Sequence, residues 1–92
     1  MDFEQQVAVV LAEVEGMLLE KNKTYGNSAL DPVRCFSKLN SEAGLRVRID
    51  DKLSRLMRGE DYPGDDDVFD LLGYLVLLRI AQKKKPREEL PP

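Results

Sequence analysis

The sequence predicts an all-α fold: a small four-helix bundle, three long helices and one short, that oligomerises through its apolar last helix. Three observations carry this. Apolar residues recur at three- and four-residue spacings along each long segment. No stretch alternates apolar and polar residues at period two. The breaks between segments are rich in capping and turn residues. A chain of 92 residues suits one domain, taken here as residues 1–82 followed by a polar, flexible tail at 83–92.

The first helix starts at Asp2, which stands in capping-box spacing to Gln5. Phe3, Val7, Val10, Leu11, Val14 and Leu18 then form one apolar face to about residue 21, with Glu13 and Glu20 on its flank. Gly16 costs this helix roughly 1 kcal/mol against alanine, and marks either a close contact or a tolerant surface. Asn, Gly, Ser and Asp crowd residues 21–32 and predict a break, where Gly26 and Asn27 turn the chain. Asp31-Pro32 reads as a cap followed by proline at the first helical position. It opens the short helix at 33–39, with Val33, Phe36 and Leu39 inward.

Ser41 is placed to cap the next helix, which runs to Arg58 and stops at Gly59. Leu45, Ile49, Leu53 and Leu56 are its predicted core face. Residues 59–67 are a loop by composition, and the acidic run at 65–67 suits the positive end of the last helix dipole. That helix carries Val68, Leu71, Leu72, Leu75, Val76, Leu77, Leu78, Ile80 and Ala81, which cover nearly its whole circumference. A helix apolar all round is buried on more than one side, which a monomer of this size can hardly provide. A homo-oligomer (dimer or tetramer) through residues 68–81 follows as an expectation, with Gly73 allowing close approach.

Composition narrows the function classes. A net charge of −3 disfavours general binding to duplex DNA. The longest apolar run is far shorter than the ~20 residues a membrane span needs, and no signal-peptide pattern is visible. A soluble, intracellular protein is the expectation. Cys35 is the single cysteine, so no internal disulfide forms, and with no histidine in the chain it has no base to activate it. The same composition rules out a zinc site.

Two charged columns carry the chemistry. Arg48, Lys52 and Arg55 fall at i, i+4 and i+7, on one stripe of their helix. Asp67, Asp70 and Tyr74 fall at i, i+3 and i+7 on the last one. Charges bordering an apolar face are costly to bury unless they meet each other or a charged ligand. The columns serve either as an interhelical salt-bridge network or as a phosphate or carboxylate site, and both roles can coexist. Asp67 and Asp70 also read as half of a Mg²⁺ site with Glu13 or Glu20, with Asp67 more simply a helix cap. Tyr25, Gly26 and Asn27 offer a stacking ring, a close backbone approach and an amide, or else an ordinary helix end. Tyr74 reads chiefly as core, its hydroxyl satisfied by an arginine.

Taken together, Lys23 with the Y-G-N-S stretch at 25–28, G-L-R-V-R-I-D-D-K-L-S-R-L at 44–56 and D-D-V-F-D-L-L-G-Y-L-V-L-L at 66–78 resemble the nucleotide modification associated domain 1 family. This is a small phage-borne and bacterial helical group, similar in turn to the MazG-like all-α nucleotide pyrophosphohydrolases. The resemblance spans residues 20–80. It implies a helical, oligomeric protein of the bacterial host cytoplasm that binds or acts on nucleotides. Lys23, Tyr25, Gly26, Asn27, Arg48, Lys52, Arg55, Asp70 and Tyr74 would then be ligand-binding. MazG-like enzymes hold Mg²⁺ between two acidic pairs. Here Glu20-Lys21-Asn22-Lys23 stands where the first pair belongs, so nucleotide binding without a required cofactor is the leading expectation. Sequestering a signalling or cyclic nucleotide, or supporting DNA base modification, are its two uses. A Mg²⁺-dependent triphosphate pyrophosphohydrolase and a purely structural oligomer are the alternatives.

Overall fold

Each helix begins where a side-chain oxygen can take up an orphan N–H group. In the computed structural model, which describes residues 1–26, 30, 40–59, 64 and 66–84, these helices are α1 (Phe3–Tyr25), α2 (Ser41–Arg58) and α3 (Asp67–Lys84). The described residues contain no strand, so the all-α expectation holds. A four-helix bundle is not what they build: three helices carry the architecture. The short helix predicted at 33–39, with Cys35 in it, lies outside the described residues, as does Asn27.

At the start of α1 the Asp2 carboxylate accepts from the Gln5 N–H at 2.8 Å, and the Gln5 side chain accepts from the Asp2 N–H at 2.9 Å. This is the predicted capping box. The helix runs one turn past residue 21, to Tyr25, because neither glycine nor proline interrupts it before Gly26. Gly26 ends it with a φ of 65°, a conformation that side chains with a Cβ resist. Lys21, Asn22 and Lys23 are therefore helical, not part of a loop.

Asn40, one residue before the predicted Ser41, caps α2 by accepting from the Ala43 N–H at 2.7 Å. Asparagine is at least serine's equal in this role, and Ser41 becomes the first helical residue. Gly59 closes α2 in the left-handed region, as the sequence predicts, donating to the Arg55 and Leu56 carbonyls. Asp66 opens α3 by accepting from the Phe69 N–H at 3.0 Å. The helix continues to Lys84, two residues beyond the predicted end of the domain.

α3 is the shared element. It packs against α2 and against α1, whereas α1 and α2 do not pack on each other. Among the described residues, Val14 of α1, Leu45 and Ile49 of α2 and Ala81 of α3 are the buried hydrophobic ones. Leu53 and Leu56, predicted as core, are 42% and 39% exposed, because the face they share with Leu45 runs on past the cover α3 provides. The predicted apolar face of α1 is likewise mostly uncovered, with Phe3 at 77% and Leu11 at 62%.

The two glycines that invite a packing argument separate cleanly. A Cβ on Gly16 would meet nothing within 4 Å, so this is a tolerant surface position. One on Gly73 would stand 2.7 Å from the Met17 Cε and 3.4 Å from the Leu18 Cδ2. Gly73 does permit close approach, and the group that uses it is the Met17 side chain of the same chain. None of these helices is long and apolar enough to cross a membrane, among the described residues.

Candidate functional site

The two charged columns meet, and they do so unevenly. Lys52 Nζ donates to Asp67 Oδ1 at 3.2 Å and to Asp70 Oδ2 at 3.1 Å. Arg55 Nη1 reaches the same Asp67 oxygen at 3.3 Å. Lys21 Nζ, from α1, stands 3.8 Å from the second oxygen of Asp70. The cluster is driest at its centre: the Asp67 and Lys52 side chains are 7% and 15% exposed. Burial by itself would lower the Lys52 pKa and is the largest single influence. The hydrogen bonds to Asp70 and Asp67, with the Coulomb attraction of Asp70, outweigh it together with a smaller repulsion from Arg55, so the pKa is raised. Lys52 is held as a cation by its partners.

Asp67 can do this because it does not cap its own helix. Asp66 takes that task, which frees the neighbouring carboxylate to turn toward α2. The salt-bridge reading of Lys52, Arg55, Asp67 and Asp70 is thus the one their geometry follows. Among the described residues no group of three carboxylates or thiols is arranged to hold a metal ion. Glu13 and Glu20 do not join Asp67 and Asp70.

Arg48 behaves differently. It lies one turn before Lys52 on the same stripe, is exposed, and makes no ion pair with any described residue. It faces a cavity of about 370 Å³ that opens between α1 and α2 where those helices fail to meet. Met17, Leu18, Gly73 and Leu77 give this cavity an apolar floor. Tyr25 and Tyr74 supply two aromatic rings, and Gly26 brings the backbone end of α1 to its edge. Its polar groups are Lys21, Asn22, Arg48 and Asp70. A mostly apolar cleft of this size with a few convergent polar groups is the usual form of a small-molecule site.

Five of the nine residues proposed from sequence therefore line one cavity: Tyr25, Gly26, Arg48, Asp70 and Tyr74. Lys52 and Arg55 do not line it, since the acids hold both. Lys23 is exposed on α1 away from the lining, and Asn27 lies outside the described residues. Lys21 and Asn22 line the cavity without having been singled out. Their signal is helical spacing, Lys21 to Tyr25 and Leu18 to Asn22 at i, i+4, and it is visible only once α1 is carried to Gly26. No family model, curated protein or solved structure matches this chain.

Proposed function

We propose that this protein binds a nucleotide in the cavity between α1 and α2, as a phage-type nucleotide-binding protein of the bacterial cytoplasm. The base would rest against Tyr25 or Tyr74, and the phosphate would be taken by Arg48 with help from Lys21. The observation that carries the reading is the composition of the cavity: two tyrosines, an apolar floor, and an arginine with no partner among the described residues. Aromatic faces stack bases of any sequence, and a guanidinium fork matches phosphate oxygens. The reading also accommodates the sequence resemblance to the nucleotide modification associated domain 1 family.

The proposal includes self-assembly through α3. Val68, Leu72, Leu75 and Val76 lie on the side of α3 opposite Asp70 and Tyr74 and are 57%, 38%, 45% and 39% exposed. An exposed aliphatic stripe on the central helix is what an interface between copies would cover. Analytical ultracentrifugation tests this part, with Leu75→Glu expected to give monomers where the natural chain gives dimers or tetramers.

Thermal unfolding in the presence of nucleosides, nucleotides and cyclic nucleotides tests the binding. A true ligand at a hundredfold its Kd adds about 2.7 kcal/mol, which for a chain of this size raises the midpoint by roughly 10 °C or more. No shift with any member of the panel contradicts the proposal. Release of pyrophosphate from a triphosphate with Mg²⁺ replaces it with the hydrolase alternative.

A further inference from the structure

The charges in and behind the cavity wall limit how many phosphates it can take. Of the cations on the α2 stripe, Lys52 and Arg55 are committed to Asp67 and Asp70. That leaves Arg48 as the uncommitted cation of the wall among the described residues, with Lys21 shared at 3.8 Å with Asp70. Asp70 lines the cavity and presents its carboxylate there, 3.1 Å from Lys52 and 3.8 Å from Lys21. A chain of several phosphates would place its outer charges beside that carboxylate with no further cation among the described lining residues to meet them. A single phosphate would not: its charge of roughly −1.5 to −2 as a monoester, or about −1 as a diester, matches Arg48 and Lys21. We propose that the ligand carries one phosphate group, a nucleoside monophosphate in linear or cyclic form, and that Asp70 acts as the specificity-determining residue that turns away di- and triphosphates. The inference rests on the nucleotide reading above.

Calorimetric titrations test it, using the full chain, a chelator in place of divalent metal, and for each base the nucleoside, its linear and cyclic monophosphates, its diphosphate and its triphosphate. For the base that binds, the expected order is monophosphate over nucleoside, with each added phosphate weakening binding at least about threefold by repulsion across a partly solvated gap. Whether the linear or the cyclic form binds better identifies the source of the phosphate, and either result supports the inference. Arg48→Ala should remove most of the preference for the monophosphate over the nucleoside, leaving only what Lys21 supplies. Asp70→Asn, where it folds, should narrow the gap between mono- and triphosphate. If it does not fold, repeating the series in high salt should narrow the same gap, because screening weakens the repulsion. Tightest binding by the triphosphate overturns the single-phosphate inference and leaves the nucleotide reading standing. Equal binding of nucleoside and monophosphate to the natural chain overturns the role of Arg48 in either. No binding by any member of the series overturns both.

Discussion

The two seams of α3 are built on opposite principles. Against α2 it makes a closed seam: Leu45 and Ile49 are buried, and Lys52 and Arg55 are neutralised by Asp67 and Asp70 within 3.3 Å. Against α1 it makes an open one, touching through the Gly73–Met17 contact and leaving a cavity with Arg48 on its far wall. One stripe of three cations on α2 crosses from the first regime into the second. Where the helices close, a charge must find a partner within the fold, because desolvation is repaid only by good geometry. Where they stay apart, a charge can remain solvated and wait for a ligand. The difference between Arg48 and Lys52, one helical turn apart, is a difference of surroundings and not of residue type.

The largest effect should come from breaking the closed seam. Asp67→Ala removes the carboxylate that Lys52 and Arg55 share and leaves Lys52 with Asp70; it should cost about 2–3 kcal/mol, read as a fall in the urea midpoint. If that variant is as stable as the natural chain, the seam is not held by its ions. Alkaline pH should loosen the same seam by a smaller amount. Because the Lys52 pKa is raised in the fold, its contribution is complete below the unfolded lysine value of about 10.4 and is lost as pH rises through the folded value. Denaturation followed from pH 9 upward should therefore show a loss that Lys52→Met no longer shows.

The open seam should respond more gently. Gly73→Ala gains roughly 1 kcal/mol of helix propensity but puts a Cβ against the Met17 Cε, the movable end of a flexible side chain. Net stability should stay within about 1 kcal/mol by denaturant titration, while ligand affinity falls because both groups border the cavity. A large loss of stability would mean the α1 contact is tighter than its exposure suggests.

How much of this was legible in the sequence follows the same division. The capping box of Asp2 and Gln5, the stop at Gly59 and the α2–α3 charge pairing are local or periodic signals, and helical spacing alone brings the two columns into register. What spacing could not assign was which cations would be spent on the acids. That depends on where α3 covers α2 and where the gap between α1 and α2 leaves it open, a tertiary fact with no local signature. The predicted cores of α1 and α2 overreached for a related reason: periodicity reports that Phe3, Leu11, Leu53 and Leu56 share apolar faces, not that something covers them. Lys21 and Asn22 carry no signal of their own because the Asn- and Lys-rich run at 21–23 reads as a loop, although α1 continues through it to Tyr25. Asp66 and Asp67 are adjacent and chemically identical, and only the direction each faces separates a cap from a salt-bridge partner.

On the proposed reading Arg48 serves a ligand while its neighbours on the stripe serve the fold. Thermal unfolding of Arg48→Ala, with and without the best-binding nucleoside monophosphate, tests it most directly. The ligand-free midpoint should match that of the natural chain to within about 0.5 kcal/mol, as for a surface substitution, and most of the ligand-induced rise should be lost. A variant that unfolds early without ligand would show that Arg48 serves the fold instead, and one that keeps the full rise with it would contradict its service to a ligand.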